Sequence, residues 1–312
     1  MTENATASRP PASATSATSA TSATSATSAT SATSATSATF ATFESADGPL
    51  AYRDAGPRDA RPLVLLHTGF TDHTQFDNLI PELALRHRVI APDARGHGSS
   101  ANASKPFRRA DDLAALLRHL DLTGPAVLVG VSMGALIAVD TALVHPELVR
   151  ALVVSGRGIG EPDLTDPWSA AVAEAQSTAL ATGDIPAWLD AFARWVPGPS
   201  RTLADVDPEI VRRVREMALR TLMKHTPDEP DFTVPVADAP RRAKGITVPV
   251  LAVNGALDAP GTVATADALI RAVPNGRTVT LDGVAHYTTM EAPEAFARIL
   301  EAFLREVDAQ EG

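Results

Sequence analysis

PAVLVGVSMGALIAV, residues 125–139, decides how the rest of the chain is read. Its first half is an apolar run of strand character, its second half continues as an apolar helix, and Ser132 sits at the bend. A Gly-x-Ser-x-Gly between a buried strand and a buried helix forms a nucleophile elbow. Gly130 and Gly134 flank the serine because so tight a turn leaves no room for side chains. The turn lifts the Ser132 hydroxyl clear of the sheet. It also points the amide of Met133 to where an anionic oxygen can form, at the start of a helix whose dipole favours negative charge. The alternative, a glycine-rich turn whose serine merely caps the helix, leaves the partners found downstream unexplained.

The composition, 45% hydrophobic and 21% charged, is that of a globular protein and allows a large core. A formal net charge of -10 argues against broad attraction to nucleic acid or anionic lipid. With no cysteine, disulfides, thiolate chemistry and Cys-ligated metals are excluded, and a reducing compartment is compatible. The longest apolar run, Ala126 to Val139, is broken by Gly130, Ser132 and Gly134 and ends at Asp140, too short to span a membrane. The N-terminus lacks the basic-then-apolar pattern of a secretory signal, so the expectation is a cytoplasmic protein.

Residues 1–39 are dominated by a repeated Ser-Ala-Thr triplet that has nothing to bury, and disorder is expected there. Beyond it, ATFES and LAYRD flank Ala46-Asp47-Gly48-Pro49 and predict an antiparallel hairpin. The runs PLVLLH, RVIAPD, AVLVGV, VRALVVS, VPVLAVNG and RTVTLDG follow as strands, most of them continuously apolar as in sheets covered on both faces. A short helix is expected around Phe76 to Leu83, others at Ala110 to Leu120 and Ala264 to Ala272, and a last one carrying Phe296, Ile299, Leu300, Phe303 and Val307. This alternation implies a three-layer α/β fold, mostly parallel, whose core is residues 40–155 and 246–312.

From about residue 156 to 245 the alternation stops. Three helical patterns, near Trp168, from Pro186 to Val196 and from Pro208 to Met223, predict a helical cap after the sixth strand, a lid over the carboxyl ends of the strands. Trp168, Trp188 and Trp195 all lie there. Trp188, Phe192 and Trp195 share a helical face and are candidates for a substrate pocket, with packing of the lid as the simpler role. Gly156, Gly158 and Gly160 do not make a dinucleotide site, because Glu161 and Pro162 follow where a glycine and a helix are needed.

A serine hydroxyl needs a base, normally a histidine oriented by a carboxylate. His286 lies in the loop after the last strand, and Asp258 follows the preceding strand, completing the chain order Ser, Asp, His. Glu161 or Asp163 is the competing acid, and a helix N-cap is the competing role for Asp258. Among the other histidines, His67 organises the loop it begins, His97 sits in the turn after Asp93, and His87, His119, His145 and His225 read as solvated; His73 stays open. No set of histidines has metal-site spacing.

The segments HTGFTDHTQF, PDARGHGSS, GVSMGA, NGALDAP and GVAHYTTMEAPEAF together resemble the α/β-hydrolase superfamily, in its serine-nucleophile branch, over nearly the whole chain from Phe40. HTGFTDH with DARGHGSS is most similar to 3-oxoadipate enol-lactonase-like and small esterase or perhydrolase-like enzymes. The resemblance implies cofactor-free acyl-transfer hydrolysis of a small-molecule ester or lactone. It also implies a second oxyanion amide after the third strand. Because His67-Thr68-Gly69 replaces the usual His-Gly pair, that amide belongs to Gly69 when counted from the histidine and to Phe70 when anchored on the glycine. Carbon-carbon bond hydrolysis, acyl transfer and perhydrolysis use the same triad, and a ligand-binding pseudoenzyme keeps the fold without turnover. An aspartate-nucleophile dehalogenase or epoxide hydrolase is disfavoured by Ser132.

Overall fold

Alternate residues of the central strands belong to different cores. Leu63 and Leu65 of β3 (Pro62–Leu66) face one apolar layer, and Val64 and Leu66 face the other. The same alternation runs through β5 (Ala126–Val131), with Val127, Val129 and Val131 on one side and Leu128 on the other. Because a strand turns successive side chains to opposite faces, a continuously apolar run can be satisfied only by a sheet covered twice. In this computed structural model, which describes residues 39–226 and 228–310, that is the arrangement. The expected repeat tail lies outside the described residues, save for Thr39, which opens β1.

The remaining strands are β1 (Thr39–Ser45), β2 (Gly48–Ala55), β4 (Arg88–Pro92), β6 (Val149–Ser155), β7 (Val250–Gly255) and β8 (Gly276–Leu281). They form one eight-stranded sheet in the order β1-β2-β4-β3-β5-β6-β7-β8, antiparallel where β2 meets β1 and β4 and parallel elsewhere. One face is covered by α1 (Arg109–His119), α2 (Met133–Val144) and, beyond the insertion, Pro260–Ala272, through side chains such as Leu113, Leu116, Ile137 and Leu269. The helix Pro293–Ala309 covers the other with Phe296, Leu300, Phe303 and Leu304. Each such side chain contributes roughly 1.5–3 kcal/mol by leaving water. The expected helix around Phe76 to Leu83 is instead two short turns, His73–Phe76 and Ile80–Leu83.

Between β6 and β7 stand three longer helices, α3 (Pro167–Thr182), α4 (Ile185–Ala193) and α5 (Pro208–Leu222). Asp166, Asp184 and Asp207 cap their N-termini, each with a proline in the first turn, which is why each begins where it does. They share a third core that includes Trp188, Phe192, Val214 and Met217 together with Tyr287 and Met290 of the loop after β8. The insertion also bonds the loops at the carboxyl ends of β3 and β4. Arg220 reaches Asp72 at 2.6 Å, Lys224 the carbonyl of Ser100 at 2.6 Å, and His225 that of Gly96 at 2.9 Å. The helix Pro260–Ala272 is α6 and the last, Pro293–Ala309, is α7.

Candidate active site

Ser132 occupies the single residue between β5 and α2, with φ 53° and ψ -114°. A non-glycine residue in that region carries a strain of about 1–3 kcal/mol, which surrounding structure must hold in place. The hold is visible on both sides. A side chain at Gly130 would collide with the Gly134 carbonyl, and one at Gly134 with the Leu66 backbone of β3. The Ser132 amide donates to Ser155 O at 2.8 Å, tying the bend to the end of β6. Met133, as the first residue of α2, has an amide with no carbonyl one turn back to bond.

Asp258 and His286 meet beside this bend. His286 Nδ1 lies 2.9 Å from Asp258 Oδ2 and 3.1 Å from Oδ1, and both side chains are buried. Asp258 Oδ1 also accepts the Ala259 amide at 2.7 Å, so the carboxylate touches the start of α6 and still faces the imidazole. Burial opposes a charge on His286, but the charge of Asp258 and its hydrogen bond outweigh it and raise the imidazole above its ordinary range. With Nδ1–H committed to Asp258, Nε2 is the nitrogen left to accept a proton. Gly156 (φ 63°) makes this pair possible, since a side chain there would stand 2.9 Å from the His286 ring and 3.0 Å from Asp258 Oδ2. Gly156 follows Ser155, the acceptor of the Ser132 amide, so one dipeptide touches serine, histidine and aspartate. Among the described residues Ser132 Oγ makes no hydrogen bond to the imidazole; contacts of this kind tighten when substrate binds.

Three supporting residues escaped the sequence reading. Asn254, at the end of β7, accepts the Gly156 amide at 3.0 Å. Gln75 accepts the Thr68 amide at 3.0 Å and donates to Thr289 Oγ1 at 3.2 Å, joining the loop after β3 to the histidine loop. Glu291 accepts the Ala285 amide at 2.9 Å and pairs with Arg201 of the insertion at 2.5 Å. The signal available for all three was a polar residue in an otherwise apolar stretch, which does not say what it bonds.

In the loop after β3, the flanking amides of Thr68 and Thr71 bond within the loop, whereas those of Gly69 and Phe70 have no acceptor among the described residues. Gly69 sits against Met133, where an added Cβ would be 3.8 Å from that of Met133, and Phe70 has φ 60°. His67 accepts the Ala94 amide at 2.9 Å and bonds its neighbour's carbonyl at 2.8 Å, which burial reinforces by holding it neutral.

Several expectations need correcting. α4 stops at Ala193, so Trp195 is not on the helical face of Trp188 and Phe192; Pro197 disfavours helix just before it. Trp188 is buried and stacks on Phe192 at 5.1 Å, while Trp195 turns to the His286 ring at 5.4 Å and Trp168 packs on Trp195 at 5.0 Å. Glu161 is exposed and pairs with Arg157, and Asp163 bonds Thr165, so neither approaches His286. His87, His145 and His225 are not solvated: each is half-buried against a carboxylate, of Glu301, Asp111 and Glu229 respectively. His119 is exposed, on the Phe43 ring. His73 pairs with Asp93 at 2.8 Å, and with Asp72 these two bring three possible metal-ligand atoms within 4.8 Å of one another. Their oxygens are already engaged, Asp93 by the amides of His73 and Ser99 and Asp72 by Thr74 and Arg220. The cluster therefore reads as a hydrogen-bonded brace between two loops.

The profile of the alpha/beta hydrolase family matches residues 63–299. The chain belongs to the alpha/beta hydrolase family. Within this family, the chain is 27% identical over 266 residues to 3-oxoadipate enol-lactonase 2 of Acinetobacter baylyi, covering 83% of itself and 94% of that protein. It is 43% identical to the magnesium-chelatase 30 kDa subunit of Rhodobacter capsulatus, but over 100 residues that span 34% of that protein. The esterase RhEst1 from Rhodococcus sp. ECU1013 has the same fold, with a TM-score of 0.70, 23% identity and coverage of 86% of this hydrolase and 99% of that chain. No helix among the described residues is long and apolar enough to cross a membrane.

Proposed function

We propose that this hydrolase is a serine esterase or lactonase working through an acyl-enzyme. The observation that carries the reading is the buried His286–Asp258 pair, packed on the residue that follows the acceptor of the Ser132 amide. Ser132 attacks an ester or lactone carbonyl as His286 Nε2 takes its proton, and Asp258 holds the imidazole and stabilises its charge. The amides of Met133 and Gly69, with Phe70 as the alternative donor, receive the oxyanion; losing one such donor costs about 3 kcal/mol of barrier. His286 returns the proton to the leaving oxygen, then activates water to release the acid. The inserted helices act as a lid, and Trp195 and Trp168 form the wall of the pocket nearest His286, while Trp188 packs the lid. The lactonase and esterase names among the relatives support this substrate class.

The test is turnover of activated acyl esters of increasing chain length and of several lactones by wild type and Ser132→Ala, with fluorophosphonate labelling alongside. Serine-dependent turnover is the expected result. No turnover and no labelling would favour a ligand-binding protein on the same fold.

A further inference from the structure

Arg109, at the start of α1, has no role in the chemistry above. It borders a cavity of about 30 Å³ with apolar walls that include Leu66, Leu113 and Ile137. Its guanidinium lies over the Phe107 ring at 5.8 Å, yet among the described residues it makes no hydrogen bond or ion pair, and its Nε is buried without a partner. Arg157 repeats the pattern. It reaches Glu161 at 2.8 Å, but its Nε is also buried and unpartnered. Asp140 stands in the field of both arginines, makes no hydrogen bond among the described residues, and is pushed up to about 6 by burial. Guanidinium groups taken out of water without full hydrogen bonding are costly, and in a chain of net charge -10 a locally positive recess is not a by-product of composition.

The recess is in line with the reacting centre. Met133, Ile137 and Asp140 are spaced for one face of α2, and Ile137 shares the cavity with Arg109. At 1.5 Å per residue, Asp140 lies about 10 Å along the helix from Met133. On the loop side, His97 packs 6.4 Å from the Phe70 ring and is held neutral, at about 3, by burial and its cationic neighbours, Arg109 among them.

We propose that Arg109, backed by Arg157, is an anion subsite that holds a carboxylate at the far end of the substrate from the scissile carbonyl. The preferred substrates are then half-esters of medium-length dicarboxylic acids, or lactones bearing a carboxylate. The inference rests on the serine-hydrolase reading. A carboxylate fits the guanidinium fork with two parallel hydrogen bonds, and binding energy gained there orients the carbonyl over Ser132.

The test compares p-nitrophenyl hydrogen suberate with p-nitrophenyl octanoate, which differ in whether the chain ends in a carboxylate or a methyl group. Wild type is expected to favour the half-ester, and Arg109→Gln to lower the ratio of the two kcat/KM values about 10- to 100-fold, as for a lost hydrogen bond to a charged group. Melting temperature and fluorophosphonate labelling check that the variant is folded with its serine intact. Calorimetric titration with suberate supplies a readout that needs no turnover, with binding expected in wild type and lost in Arg109→Gln. If wild type neither hydrolyses nor labels, the serine reading fails while the titration still decides the anion site. An unchanged ratio, or suberate binding equal or undetectable in the two proteins, overturns the proposal.

Discussion

One carboxylate oxygen of Glu291 accepts the amide hydrogen of Ala285, the residue before His286, while the other holds Arg201 of the helical insertion. Arg201 in turn donates to the carbonyls of Pro197 at 3.0 Å and Gly283 at 2.9 Å. The segment bearing Trp195 and the loop bearing His286 are thus fastened to each other through one half-buried ion pair.

Glu291→Ala is therefore expected to lower stability by about 3 kcal/mol, because it strands a partly buried guanidinium and an amide. Glu291→Gln keeps an acceptor for Ala285 and is expected to fall between it and wild type. Chemical denaturation measures this, and a kcat loss exceeding the KM change would mark displacement of His286 rather than loss of substrate contacts.

Asp258→Asn is expected to reduce kcat about 10⁴-fold with little change in folding, since the amide cannot stabilise the imidazolium or hold its tautomer. Steady-state kinetics at saturating substrate measure it. Near-normal turnover would contradict the assigned role, and the structure offers no replacement acid at Glu161 or Asp163.

The raised pKa of His286 sets a pH dependence. As a base it must be neutral, so kcat/KM is expected to rise with pH through a midpoint above the ordinary imidazole value of about 6.5. Stability runs in the opposite sense. The gain from the charged pair is full below the unfolded value and is lost as pH climbs through the raised folded one. Removing the carboxylate in Asp258→Asn should move the kinetic midpoint downward, and a pH series on residual activity reads it.

Gly156→Ala is expected to cost about 100-fold or more in kcat, the scale of a small misplacement of catalytic groups. Its added methyl would press on both His286 and Asp258 at a positive φ. Circular dichroism and melting would separate this from unfolding; a variant with full activity would show that the pair has room to shift.

Phe70 and Gly69 mark the boundary of what local sequence can say. A gap of one residue after His67 moves the expected oxyanion amide from one to the other, and in the structure both amides are without acceptors. Trp195 marks another. Helical spacing placed it with Trp188 and Phe192, but the chain leaves the helix at Ala193 and delivers the ring to His286.

What the sequence by itself determined is the layered sheet, the elbow and the order of serine, aspartate and histidine. Those follow from local rules: apolar runs need cover on both faces, and glycines flank a bend too tight for side chains. Only the tertiary structure decided that Gly156, Asn254, Gln75 and Glu291 brace the site, and that Arg109 lies beneath it without a partner. The reason is physical. A hydrogen bond such as Gln75 to Thr289 spans 214 residues of chain, and nothing in the residues near either end records which distant group folding will bring within 3.2 Å.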